Sequence, residues 1–183
     1  MSVLAPQAPS ATHRRHRVPA MMPALDAPHR GVKAEPFRAW IRQLMSDTGL
    51  PWRVLARAAG VSSAIVFALL RGHDGHPATT LPAADAERLF RLDHRRLAYL
   101  RQEPANPQHA RMLLWSLAMA GCSNHQLAEF SGLDLLAIRT LMAGEAAWCS
   151  RLQLLRTEAA CEVWGIDPQV ALRDKAPASR FDR

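Results

Sequence analysis

An all-α fold, built from two related helical units in tandem behind a disordered arm, is what this sequence predicts, on three observations. The stretch Leu55 to Gly72, LARAAGVSSAIVFALLRG, returns 72 positions later as Leu127 to Gly144, LAEFSGLDLLAIRTLMAG. Alanine, leucine and arginine dominate while runs of β-branched residues are missing, which favours helix over strand. Apolar residues recur at helical spacing, as in Phe37, Trp40, Ile41, Leu44 and Met45.

Residues 1–34 are rich in Pro, Ala, His and Arg without a sustained apolar period, so they are expected to be largely disordered. Their basic cluster contains Arg14, Arg15 and Arg17. It reads either as an arm that tracks phosphates or a minor groove, or as a solvated tail with no fixed contact. The first folded unit spans 35–101. Its opening helix stops at Gly49, Pro51 stands in the first turn of the second, and the second helix ends near Ala59. Ser62 is placed to cap a third helix that Gly72 stops. Pro82 opens a fourth, carrying Ala86, Leu89 and Leu92, and Asp93 to Arg101 forms a short fifth.

A proline-bearing linker at 102–106 separates this unit from a second at 107–167, and a polar tail at 168–183 follows. The second unit repeats the opening helix from Pro107 to Ala120, with Gly121 in the role of Gly49. Ser123 and Gln126 suit a capping box, Asp134 suits the cap of the third helix, and Ser150 that of a long fourth helix to Trp164. In the fourth helices Ala86 aligns with Ala160, Leu89 with Val163, Leu92 with Ile166 and Asp93 with Asp167, at an offset of 74.

Within the repeated stretch Leu55, Ala56, Gly60, Val66, Leu69 and Gly72 align with Leu127, Ala128, Gly132, Ile138, Leu141 and Gly144. A small residue lets one helix cross closely over another, and a glycine four positions on takes the positive φ of a sharp turn. Aliphatic residues three apart then pack the following helix back on the first. This is the helix-turn-helix pattern; an ordinary helical hairpin needs the apolar period but not the fixed register.

Leu55-Ala56, Gly60-Val61-Ser62, then Val66, Leu69, Leu70, Arg71 and Gly72 resemble the lambda-repressor-like helix-turn-helix family of Cro/C1 or XRE type. The second copy resembles it in weaker form, and the resemblance covers most of 36–101 and 107–167. It implies five short helices per unit, with the third in the major groove of operator DNA. The outward positions are then Ser63, Ala64, Phe67 and Ala68, poor in the Arg, Asn and Gln that make bidentate base contacts. Ser62 and Ser63 can bond a phosphate or base, and Ala64 can meet a thymine methyl. Arg53, Arg57 and Arg71 suit phosphates, or else form a solvated helix face.

Charge divides the copies. The chain carries a net charge of +7, which makes a polyanion a sensible partner. Residues 36–101 hold ten arginines against five acidic residues, a net +5, whereas 107–167 hold four against six, a net −2. An acidic unit is repelled by phosphates. Its outward positions include Leu135, Leu136, Ala137 and Arg139. The two leucines read equally as a contact with another protein or as core in a shifted register.

Catalytic patterns are missing: there is no nucleophile elbow, phosphate loop or paired-carboxylate arrangement. His73, Asp74 and His76 lack further ligands nearby, and Cys122, Cys149 and Cys161 match no established metal spacing. No cofactor is expected. An odd number of irregularly spaced cysteines favours a reducing cytoplasm, and no apolar run approaches a membrane span. The expectation is a bacterial or phage-type transcriptional regulator without enzymatic activity, whose first unit and basic arm hold double-stranded DNA while the second unit, through Leu135, Leu136 and Arg139, contacts a second copy or another transcription regulator, or else binds a successive DNA half-site as a pseudo-dimer. The alternative is a helix-turn-helix-derived adaptor or antiactivator that binds another regulator or RNA polymerase. A ligand- or metal-responsive sensor ranks third.

Overall fold

The computed structural model of the chain describes residues 31–72, 75–145 and 148–173, and they form an all-α fold. Helix α1 (Glu35–Thr48) carries Pro36 in its first turn and stops at Gly49, whose φ of 66° turns the chain. Pro51 then introduces α2 (Trp52–Ala59), which Gly60 ends at φ 69°. The Ser62 hydroxyl accepts from the Ala64 N–H and starts α3 (Ser63–Leu70). Next come α4 (Ala83–Phe90) and α5 (His94–Gln102), the latter begun by the Asp93 carboxylate accepting from the Arg96 N–H.

The later helices follow the same local logic. Asn106 caps α6 (Pro107–Met119), and Ser123 with Gln126 forms the capping box of α7 (Asn124–Ser131), which ends at Gly132 with φ 72°. Asp134 caps α8 (Leu135–Ala143), a second capping box of Ser150 and Gln153 starts α9 (Arg151–Val163), and Asp167 caps α10 (Pro168–Ala171).

Three features depart from the sequence reading. Strand β1 (Val32–Lys33), inside the stretch read as a disordered arm, pairs antiparallel with β2 (Thr80–Leu81), and Ala34 beside it is fully buried. Residues 168–171, read as the start of a polar tail, are helical, because Asp167 caps them and Ala171 joins the apolar interior. Val163, aligned with the core residue Leu89, is 60% exposed. His73, Asp74, Arg14, Arg15 and Arg17 lie outside the described residues.

Two buried clusters fill the interior. The first gathers Ile41, Leu44, Leu55, Val66, Leu69 and Leu97; the second gathers Leu113, Leu114, Leu117, Leu127, Ile138 and Leu141. Helix α9 feeds both. Leu152, Leu155 and Ala159 enter the first, while Leu154, Ala160 and Cys161 enter the second. Neighbours such as Leu154 and Leu155 diverge by about 100° around a helix of 3.6 residues per turn, so adjacent side chains can serve opposite sides. Burying each such leucine contributes roughly 1.5–3 kcal/mol.

The segment read as a linker is tied to the start of α9. The Ala105 N–H donates to the Cys149 carbonyl at 2.8 Å, and the Arg151 N–H donates to the Glu103 carbonyl at 2.7 Å. These bonds satisfy backbone groups that an extended connection would leave to solvent. They also fix where α9 begins. Its far end is thereby aimed across the first half, against α2, as well as across α6 and α7.

Candidate nucleic-acid interface

The corner between α2 and α3 presents one surface. Gly60 supplies the left-handed turn without a Cβ penalty, Val61 is buried beneath it, and Ser62 caps the outgoing helix. Ala64 is exposed, Phe67 is 43% exposed, and Arg71 is exposed at the C-terminal end of α3, where a cation complements the helix dipole. The Ser62 oxygen receives the Ala64 N–H at 3.2 Å, so its own hydroxyl hydrogen stays available.

An aromatic platform backs this surface. The Arg53 guanidinium lies 4.3 Å over the Trp52 ring, and Trp52 meets Phe67 at 5.9 Å between centroids and 46° between planes. Stacking on Trp52 orders Arg53, which stays half-exposed. The pair also explains an apolar residue at the solvent-facing position Phe67.

Arg57 and Ser63 are placed differently: both are engaged by α9. Arg57 Nη1 meets Glu158 Oε2 at 2.7 Å, and Arg57 Nη2 meets Glu162 Oε1 at 2.6 Å. The Ser63 hydroxyl donates to Glu162 Oε2 at 2.7 Å. Glu158 also lies 3.8 Å from Arg151 Nη1. The side chains of Arg57 and Glu158 are 17% and 10% exposed, so the pair is largely withdrawn from water, and Arg57 Nε is buried without a hydrogen-bond partner. The two acidic residues stand one helical turn apart and reach the arginine together. Sequence inspection missed them as partners; their only visible signal is an i, i+4 pair of carboxylates, Glu158 and Glu162, on one helix.

A second brace runs from α9 to α7. Arg156 donates from Nε to the Phe130 carbonyl at 3.0 Å and from Nη2 to the Glu129 carbonyl at 2.7 Å. Burial, and secondarily Arg101, lowers the pKa of its guanidinium. These bonds satisfy carbonyls at the C-terminal end of α7.

The corner between α7 and α8 has a different surface chemistry. Leu135 is half-buried, Leu136 is 70% exposed, and Arg139 is exposed with its Nε donating to the Leu135 carbonyl at 3.3 Å. Leu136 therefore stands outside the core. Glu129 occupies the place that corresponds to Arg57 at the 72-residue offset, so the charge is reversed there.

Cys122, Cys149 and Cys161 are free thiols in the interior. Burial pushes Cys149 up to about 11 and Cys161 up to about 12 and raises Cys122 as well. Among the described residues no three His, Cys, Asp or Glu side chains come together as a metal site. Of the five tryptophans, Trp40, Trp52 and Trp115 are half-buried, while Trp148 and Trp164 are 61% and 37% exposed.

Comparison with protein-family models, with curated proteins and with solved structures finds no match for this chain.

Proposed function

We propose that the chain is a DNA-binding transcriptional regulator of bacterial or phage type, working in the cytoplasm, with α2 and α3 as its DNA-holding corner. The observation that carries this reading is the α2–Gly60–α3 corner itself. It has a left-handed glycine, a serine-capped second helix, and Arg53 and Arg71 exposed or half-exposed beside Ala64 and Phe67. Phosphate contact falls to the arginines, and Ser62 and Ala64 meet the duplex at the start of α3. The α7–α8 corner, with Glu129 and Leu136 on its surface, supplies contacts to a second copy or another regulator. No described helix is long and apolar enough to cross a membrane.

A specific observation favours a second reading. The Arg57–Ser63 face already receives acidic side chains of a protein helix, and Leu136 presents an apolar side chain outward. An adaptor or antiactivator uses such surfaces to bind another regulator or RNA polymerase without touching DNA.

Anisotropy of a labelled random duplex, measured over a salt series, separates the two. A contact that neutralises two to three phosphates predicts an affinity falling roughly 10- to 40-fold between about 50 and 200 mM salt. No salt-dependent affinity in that range overturns the DNA-binding reading and leaves the adaptor.

A further inference from the structure

We propose that Glu162, supported by Glu158, is an intramolecular stand-in for a DNA phosphate. It latches the α2–α3 corner to α9, and a duplex must displace it. This inference rests on the DNA-binding reading and adds a control to the same site.

Glu162 behaves as an anion seated at a helix start. One carboxylate oxygen lies 2.6 Å from Arg57 Nη2 and the other accepts from the Ser63 hydroxyl at 2.7 Å, at the first residue of α3. A phosphate oxygen approaching that helix start would ask for the same donors, namely an arginine fork, a hydroxyl and the positive end of the helix dipole. Beside them runs an open groove that passes Ser62, Ser63 and Ala64 and reaches Arg151, Leu155 and Glu158 on α9. Two of the donors expected on this corner, Arg57 and Ser63, are therefore in use, and the groove beside them carries two carboxylates that repel a phosphate.

The two acids divide the work. Glu158 is 10% exposed, held between Arg57 and Arg151, and lies between Leu155 and Ala159, which anchor α9 in the first cluster. It cannot leave unless α9 moves. Glu162 is 28% exposed and stands one residue before the end of α9, so its side chain can rotate into water while the helix stays seated. Glu162 is the movable latch and Glu158 the fixed post. When a phosphate replaces the Glu162 carboxylate, Arg57 keeps Glu158 as a partner, so its guanidinium is not stranded. The 72-residue counterpart of Arg57 is Glu129, so the second corner has no arginine at the latched position.

The test compares duplex affinity, at one salt concentration near physiological, for the full chain and three variants. Glu162→Gln removes the charge and is expected to raise affinity roughly 5- to 20-fold, as expected for deleting a negative charge within a few ångströms of a phosphate. Glu162→Asp keeps the charge but shortens the reach, and is expected to raise affinity by a smaller factor through the loosened contact alone. Glu35→Gln, an equal charge change at the exposed first turn of α1, is expected to stay within about twofold of the parent. Thermal melts of each variant verify the fold. If the parent binds duplex and Glu162→Gln and Glu162→Asp bind no better, the latch is overturned while the DNA-binding reading stands. Equal gains from Glu162→Gln and Glu35→Gln also overturn it, since the effect is then general charge. If neither the parent nor Glu162→Gln binds even at about 50 mM salt, the DNA-binding reading falls and takes the latch with it.

Discussion

Arg57 is the residue whose surroundings say most. On an isolated two-helix corner it would be a mobile surface cation, worth little to stability. Here both Nη atoms are committed to α9, and the largely buried Arg57–Glu158 pair means that losing Glu158 strands charge. The cysteines make the opposite point about chemistry. Burial holds Cys149 and Cys161 near 11 and 12, against the ordinary 9.0, so the folded protein keeps both thiols protonated. A raised thiol pKa contributes stability that is fully present below 9.0 and is lost as pH rises through the folded values. Two outcomes are expected. Iodoacetamide leaves both thiols unmodified at neutral pH until the chain unfolds, and chemical-denaturation midpoints fall as pH climbs from 9.0 towards 12. Rapid labelling of the native protein at neutral pH would contradict the burial.

At the scale of elements, the glycines that end helices are not equivalent, although all the ones compared here have positive φ. A Cβ at Gly60 meets nothing within 4 Å, so Gly60→Ala bears only the left-handed backbone cost, about 1 kcal/mol. A Cβ at Gly72 would fall 1.9 Å from the His76 carbonyl oxygen, which is backbone and cannot swing aside. Urea denaturation should accordingly show Gly72→Ala losing clearly more stability than Gly60→Ala, and equal losses would contradict the close approach. The helix starts were legible in the sequence because capping is local: Ser62, Ser123, Asp134 and Ser150 each act within three residues. The strand pair was not legible, because two-residue strands carry no period and Val32 meets Leu81 only after three intervening helices. Nor was α10, whose four residues are too few for a helical pattern.

For the whole molecule, α9 is the organising element, since it joins both clusters and reaches the α2–α3 corner. The candidate site was half legible. The sequence singled out Arg53, Arg57, Ser63 and Arg71 on one corner through the repeated register together with the family resemblance of that stretch. What it could not supply was the fate of Arg57 and Ser63, because Glu158 and Glu162 stand 101 and 105 positions from Arg57 and only tertiary packing brings them together. Charge counted by segment likewise separates the two halves, although the acidic side chains of one meet the basic corner of the other. Hydrogen exchange on the full chain, with and without saturating duplex DNA, follows that corner and its latch together. Protection is expected to rise across Trp52–Arg71 while α9, of which only the Glu162 side chain moves, keeps its protection. Duplex-induced protection confined to α8, with Trp52–Arg71 unchanged, would contradict the account.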